Sequence, residues 1–568
     1  GYTMSDLFYQ DKTLKDSLKA LENIIKNNKH DGIAAIGLPL DINGGLFNVA
    51  AVINKNQLLG IVPKYNLPNN GEFSEKRWFI SGKQANFTKI TLFGKEVPFG
   101  SLIFKDTNKD LAIGVEICQD LWTIKTPADD LAVAGANLIL NLSASTEIVG
   151  KRTIRRNAVL DHSRKQMGAY VYTTTGIFES SSEALFSSHK MIASMGEMVN
   201  ESKSIVIGSS HIFADINLTA INYQRRQDSN FRDSIFNNEL NYQTINFDLE
   251  ESNDYKFEDD FNLKPYVPNN ASDYEHIKDI LVASLVKKLS SLPKNNRKIV
   301  LGVSGGLDST HALIIAYEAF KVLDLPLEDL YAVILPAVAS TSKSMSDAIE
   351  LIEGLGLKPL VIDINDSVNL HLKDIEHNSI DTTYENAQAR MRTLILMNLS
   401  NKYGGFVLGT GDLSEIALGF MTYNGDQMSM YAINSGLPKT LIQAITTYYA
   451  NNKYSNIKNV LDRIVAKKIS PELLDKQDTE EIIGSYLIND FIMYYHLECG
   501  LDDDKLIWLI ETSFNLRNEE ASVYVRRFLS RFYNQQFKRS TLPEGPKVFS
   551  ISLSPRMSYK LPSDVIRK

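Results

Sequence analysis

Lys298-Ile299-Val300-Leu301-Gly302-Val303 runs directly into Ser304-Gly305-Gly306-Leu307-Asp308-Ser309-Thr310, and this join decides the fold of the second half of the chain. The apolar run 298–303 reads as a buried strand and residues 309–323 as a helix. Two glycines between them let backbone amides curl around an anion with no Cβ in the way. Ser309 or Thr310 can cap the helix, whose N-terminus favours phosphate through its unpaired amides and dipole. Asp308 can hold a magnesium ion bridging phosphate oxygens. No GxxxxGK[ST] string occurs, so this is not the loop of NTPases that cleave the γ-phosphate.

The string resembles the SGGxDS pyrophosphate loop of ATP pyrophosphatases, enzymes that cut ATP between the α and β phosphates and adenylate a substrate. Around it the pattern predicts an amphipathic helix over 277–289, strands over 330–335, 358–363 and 405–408, and a helix over 387–403. Strands alternating with helices imply a doubly wound parallel sheet, and beyond Pro438 the chain reads as mostly helical. Gly409-Thr410-Gly411-Asp412-Leu413-Ser414-Glu415 stands at the carboxyl end of a strand, where open α/β sheets collect ligands. Thr410 can bind ATP there, and Glu415 can share the magnesium with Asp308.

The first half reads differently. A helical stripe recurs at Leu14, Leu18, Leu21 and Ile25, followed by β-like runs over 33–38, 47–53, 58–62 and 111–117. Helices over 126–136 and 150–167 and strands over 137–142 and 169–173 complete a mixed α/β domain with a strand-rich core. Between the halves, acidic and polar residues with Pro265 and Pro268 predict a linker over 251–272, separating domains over 1–250 and 273–568. The whole length, 568 residues, suits two large domains.

Composition excludes several classes. With 60 basic and 68 acidic side chains the net charge is −8, which argues against a nucleic-acid binder working through a bulk positive field. Two cysteines, Cys118 and Cys499, are too few for a disulfide framework and suit a reducing cytoplasm. No signal peptide or membrane span is visible. The chain opens Gly1-Tyr2-Thr3-Met4, so its beginning reads as cut or processed.

Further strings, Thr383-Tyr384-Glu385-Asn386-Ala387-Gln388-Ala389-Arg390, Gly425-Asp426-Gln427-Met428-Ser429, Pro438-Lys439-Thr440-Leu441 and Gln536-Phe537-Lys538-Arg539-Ser540, make residues 270–568 resemble the long, glutamine-dependent form of the NAD synthetases. That resemblance implies adenylation of the nicotinate carboxylate of deamido-NAD by ATP, then displacement of AMP by ammonia. It places ATP on Gly302, Val303, Ser304, Gly305, Gly306, Leu307, Asp308 and Ser309, with Thr410 further on. It places deamido-NAD on Asn386, Met391, Arg392, Thr393, Leu394, Ile395, Leu396, Glu415, Phe420, Met421, Thr422, Tyr423 and Lys538. Lys439 and Lys538 are cations suited to developing charge.

A lone cysteine on an apolar strand is ordinarily inert core, but the strings around Cys118 reverse that reading. Val62-Pro63-Lys64, Leu67-Pro68-Asn69, Glu72-Phe73-Ser74-Glu75-Lys76-Arg77, Val115-Glu116-Ile117-Cys118 and Asn141-Leu142-Ser143-Ala144-Ser145 resemble the carbon–nitrogen hydrolase (nitrilase-like) domain, an α-β-β-α sandwich. The resemblance implies Cys118 as nucleophile, Lys64 as oxyanion support and Glu75 as an assisting acid. Asn70, Ser145 and Lys151 fall at glutamine-contacting positions, and the stretch 179–183 matches a serine- and acid-rich segment. Three departures stand out. Asn70 replaces the usual tyrosine, and Lys151 replaces an arginine, keeping the charge but losing the bidentate fork. The family's general-base glutamate is expected upstream of the segment matching Gly1-Tyr2.

The sequence therefore predicts a cytoplasmic ligase with two active sites, acting on glutamine, ATP and deamido-NAD, with magnesium, as a homo-oligomer with ammonia passed internally. The alternatives are an amide hydrolase with a regulatory nucleotide-binding module, or another ATP-pyrophosphatase amidotransferase.

Overall fold

The computed structural model describes all residues except 1, 180–182, 237–241, 251–255, 259, 338–341, 468–478 and 568. It forms two compact units, Gly1–Asp260 and Phe261–Lys568. The second unit thus begins upstream of residue 273, and the helix Ala271–Ser290 takes up the end of the segment expected as a linker.

In the first unit, strands β1 (Ile33–Ile42), β2 (Gly45–Asn54) and β3 (Gln57–Pro63) form an antiparallel sheet. Left-handed turn residues Asn43 and Lys55 join them. A small hairpin, β4 (Lys89–Leu92) and β5 (Lys95–Pro98), follows. The second large sheet contains β6 (Leu102–Asp106), β7 (Ala112–Ile117), β8 (Leu138–Ser143), β9 (Ala169–Thr174), β10 (Lys190–Ser194), β11 (Glu197–Glu201) and β12 (Gln243–Phe247). Its order is β11-β10-β9-β8-β7-β6-β12, with β7, β8 and β9 mutually parallel.

Period-two alternation explains the layering. Val49, Ala51 and Ile53 face Leu21 and Ile25 of the helix Asp11–Asn27. Their neighbours Ala50 and Val52 face Phe104, Ile113 and Val115 of the other sheet. The outer face of that sheet takes Leu131 and Val159 from two further helices against Ile139, Tyr170 and Tyr172. The result is helix, sheet, sheet, helix. Each large apolar side chain sealed this way stabilises by roughly 1.5–3 kcal/mol. The helix expected over 126–136 covers Pro127–Val133: Thr126 caps it through Asp129, and Gly135, at φ +118°, ends its continuation.

The second unit holds β13 (Ile299–Gly302), β14 (Leu330–Ile334), β15 (Pro359–Val361), β16 (Phe406–Gly409) and β17 (Tyr431–Ala432), all parallel, in the order β15-β14-β13-β16-β17. The order reverses between β13 and β16, which makes the crevice there the topological switch point. Ile299 and Leu301 bury against helices on one face, while Val300 buries against Val368 and Ala387 on the other. The helix expected to start at residue 387 begins five residues earlier, because Asp381 caps it by accepting from Thr383 N at 2.8 Å. The helices Ser342–Gly354 and Asn365–Asp374 were not expected. Among the described residues, no helix is long and apolar enough to cross a membrane.

Candidate active sites

Cys118 follows the C-terminal end of β7 with φ +52°, in the left-handed region, and opens a short 3-10 turn, Cys118–Trp122. It is half-buried, with Sγ 3.8 Å from Ala144 O. Lys64 follows β3, its N–H donating to Asn48 O at 2.8 Å. Lys64 Nζ lies 2.5 Å from Glu75 Oε2, and each side chain is 1% exposed. Asn48 Nδ2 donates to the other Glu75 oxygen at 2.6 Å. Cys118, Lys64 and Glu75 share one cavity of about 610 Å³, together with Ser143 and Thr174. A thiol, a fixed ammonium and its counter-carboxylate thus meet at a hollow large enough for an amino-acid amide. Cys499 contrasts with this: it is buried, and burial pushes its thiol up to about 12.

The expected glutamine contacts lie off that wall. Asn70 is exposed in a turn, its carbonyl accepting from Phe73 N at 3.1 Å. Ser145 is committed elsewhere: Oγ accepts from Arg155 Nη1 at 3.0 Å, and its N–H donates to Thr174 Oγ1 at 2.9 Å. Lys151 holds its ammonium 4.3 Å above the Trp122 ring. In the stretch 179–183, Glu179 accepts from Thr175 Oγ1 at 2.8 Å, and residues 180–182 lie outside the described residues. Burial pushes Glu116 up to about 7, while Tyr170, Asn141 and the Ala128 N–H donate to it.

In the second unit the phosphate loop leaves β13 and enters the helix Leu307–Val322. The cap is Gly306, correcting the expectation of Ser309 or Thr310. Both hydroxyls sit one turn in and donate back to Gly306 O, at 3.1 and 2.8 Å, while Ser309 Oγ accepts from Ser304 N at 3.2 Å. Helix amides beyond Gly306 therefore remain directed at the loop mouth. Gly305, at φ +77°, cannot carry a side chain: a Cβ there would stand 2.2 Å from Ser344 O.

Asp412 caps the helix Leu413–Leu418, accepting from Glu415 N at 2.8 Å. Lys439, first residue of the helix Lys439–Asn452, is 2% exposed and sends its ammonium between three carboxylates. Nζ lies 2.6 Å from Asp308, 2.5 Å from Asp412 and 3.0 Å from Glu415. Burial, partly offset by Lys439, pushes Asp412 and Glu415 up to about 7 and raises Asp308 as well. For Lys439 burial pulls down, but the three carboxylates outweigh it and hold the ammonium well above its usual range. Carboxylate oxygens of Asp308, Asp412 and Glu415 lie within 4.8 Å of one another. Among the described residues, no donor reaches the buried Asp308 Oδ1. This hard oxygen set fits magnesium.

A cavity of about 700 Å³ opens over these groups. Gly302, Val303, Ser304, Gly306, Leu307, Asp308, Ser309 and Thr410 line it, with Gly305 behind the loop. Arg392, Thr393, Leu396, Glu415 and Phe420 share its wall. The other expected dinucleotide contacts lie off it. Leu394 and Tyr423 are exposed, and Met391 and Ile395 pack on the sheet. Asn386 accepts from Thr422 Oγ1 at 2.8 Å, and Lys538 donates to the Gly419 and Met421 carbonyls at 2.8 and 2.7 Å.

Sequence reasoning missed three supports. Asp412 joins the carboxylate cluster, although only Asp308 and Glu415 were expected as metal ligands. Asn434 Nδ2 donates to Asp308 O and Thr410 O, each at 2.9 Å, tying the two loops together. Asp490 accepts from Ser414 Oγ and from Thr440 N and Oγ1, at 3.0 and 2.7 Å for the latter two. Asp412, quoted inside its motif, had a readable capping position, whereas Asn434 and Asp490 carried no local signal.

A family model described as NAD synthase matches residues 277–541. A glutamine-dependent NAD(+) synthetase of Mycobacterium bovis is 33% identical over 610 aligned residues, covering 100% of this chain and 89% of that one. One from Thermotoga maritima is 28% identical, covering 89% of this chain and 82% of its own. The crystal structure of a glutamine-dependent NAD(+) synthetase from Cytophaga hutchinsonii aligns over 99% of this chain and 90% of that chain at 20% identity, with a TM-score of 0.43, an overlay too loose to carry an argument.

Proposed function

The chain belongs to the glutamine-dependent NAD(+) synthetase family, and from that premise we propose how its two sites divide the work. It is an ATP-dependent carbon–nitrogen ligase that makes NAD with glutamine as the nitrogen donor. In the nitrilase-like first unit, the Cys118 thiolate attacks the side-chain amide carbonyl of glutamine. Lys64, held by Glu75, supports the oxyanion as the tetrahedral intermediate forms. Its collapse, with the proton given up by the thiol passing to the leaving nitrogen, releases ammonia and leaves a γ-glutamyl thioester on Sγ, which water hydrolyses to glutamate and free thiol.

In the second unit the amides beyond Gly306 bind the ATP phosphates, and the crevice at Thr410 and Phe420 orients the carboxylate of deamido-NAD. Asp308, Asp412 and Glu415 would hold magnesium, which when bound neutralises phosphate charge. A nicotinate carboxylate oxygen attacks the α-phosphorus, expelling pyrophosphate, and ammonia then attacks the acyl carbon, expelling AMP. Lys439 supplies fixed positive charge beside the leaving phosphates.

The observation that carries this reading is that Cys118 shares a cavity with the buried Lys64–Glu75 pair, while the same chain carries a phosphate loop with its carboxylates. The test follows NAD formation from deamido-NAD and ATP, with glutamine or ammonium as nitrogen source. Cys118→Ala is expected to lose the glutamine-supported rate and keep the ammonium-supported one. Equal loss with both donors would refute this division of labour.

A further inference from the structure

The proposed chemistry requires Cys118 and Lys64 to face one carbonyl group, yet they come from different sheets, 54 residues apart in the chain. One side chain spans the gap. Asp120 is 0% exposed and lies two residues after the nucleophile. Its Oδ2 accepts from the N–H of Ile117, immediately before Cys118, at 3.1 Å. Its Oδ1 accepts from Asn66, two residues after Lys64, through both the backbone N–H and Nδ2, each at 2.8 Å. Lys83 Nζ donates to Asn66 Oδ1 at 2.7 Å, so the amide is turned with its nitrogen towards Asp120.

The backbone needs such a clamp. Cys118 sits at φ +52°, a region that residues with a Cβ rarely adopt, and it persists only where surrounding contacts over-determine it. The Ile117 N–H bond fixes the Glu116–Ile117 peptide, one residue ahead of the strained Cys118, and the Asn66 bonds tie it to the segment carrying Lys64. A carboxylate suits the task because it is acceptor-only and takes donors on both oxygens. An amide of the same shape turns an N–H against one set of donors in either orientation.

We propose that Asp120 is a positioning residue for glutamine hydrolysis, setting the placement of the Cys118 sulfur relative to the Lys64 ammonium. This rests on the reading of Cys118 as the nucleophile. A misplacement of about 1 Å costs about 100-fold in rate. Asp120→Asn should therefore lower kcat with glutamine by about that factor while KM for glutamine stays within about threefold. The ammonium-supported rate should be unchanged.

Labelling of Cys118 supplies a readout that a merely structural role would not split. Iodoacetamide, which needs an accessible thiolate but no set orientation, should label wild type and Asp120→Asn at similar rates. A glutamine-shaped chloroketone, which needs the oriented attack, should label the variant far more slowly. Asn66→Ala, which removes the Nδ2 link and the Lys83 contact but keeps the backbone N–H bond to Asp120, should show the same pattern at smaller amplitude and serves if Asp120→Asn does not fold.

Unchanged kcat in these variants, a loss confined to KM, or a parallel fall of both labelling rates would overturn the proposal. Cys118→Ala separates the two levels. If it keeps glutamine-supported synthesis, the underlying reading fails. If it is inactive with glutamine while Asp120→Asn behaves as wild type, only the positioning role fails.

Discussion

Both sites are built around a buried lysine, and they differ in what surrounds it. Lys64 faces Glu75, so that the two charges balance. Lys439 faces Asp308, Asp412 and Glu415, so that carboxyl groups outnumber the ammonium by two. A balanced pair is a fixed dipole, suited to holding an ammonium where an oxyanion forms. In the unbalanced cluster burial, with the neighbouring carboxylates adding to it, pushes Asp412 and Glu415 up to about 7, and the site favours further positive charge. The same residue type thus serves carbonyl chemistry in one unit and phosphate chemistry in the other.

The strongest way to break this contrast is Lys439→Met. It leaves the buried Asp412 and the half-buried Asp308 and Glu415 without their ammonium, and removing one partner of a buried ionic group costs about 3–5 kcal/mol. NAD formation should fall by about 10²–10³-fold with glutamine and ammonium alike. Survival of the ammonium-supported rate would show that Lys439 is only a structural counter-charge. Glu75→Gln probes the balanced pair. It should cost about 100-fold with glutamine through loss of the Lys64 orientation, and leave the ammonium-supported rate intact; a comparable loss with ammonium would remove the contrast.

The smallest effect is in pH dependence. Folded Asp412 and Glu415 keep protons up to about 7, whereas an unfolded carboxyl releases its proton near 4. Between these values the folded state binds more protons than the unfolded one, so their contribution falls as pH rises through that window. Asp412→Asn removes one of these groups. In urea unfolding with EDTA present, its midpoint should decline less steeply than that of wild type from about pH 4 to 7. An equal or steeper decline would contradict the raised carboxyl.

The phosphate loop was legible because its demands are contiguous. Gly305 must be glycine for its φ and its approach to Ser344, and Asp308 follows three positions later. Cys118 was legible only through neighbouring strings, since the cysteine alone looks like core. Side-chain direction was not legible. Asn70, Leu394 and Tyr423 match motif positions yet point to solvent, and Ser145 is turned towards Arg155. Asn434 and Asp490 escaped notice because the groups they bind are remote in sequence, 126 positions for Asp308 and 76 for Ser414. In the fold, the strands that were predicted lie close to their observed ends except β1, expected to stop at residue 38 and running on to Ile42. The hairpin β4–β5, whose four-residue strands are largely exposed, was missed, and so were β6, β10, β11, β12 and β17, each of five residues or fewer.

The separation between Asp308 and Lys439, 131 positions, also bears on how the chain is made. At about 5–20 residues per second, a ribosome delivers Lys439 roughly 7–26 s after Asp308. Throughout that interval the nascent chain carries the complete glycine loop and, near its end, all three carboxylates, but not the ammonium that draws them together. A chain released in this window would retain every letter of the SGGLDST motif without a closed nucleotide site.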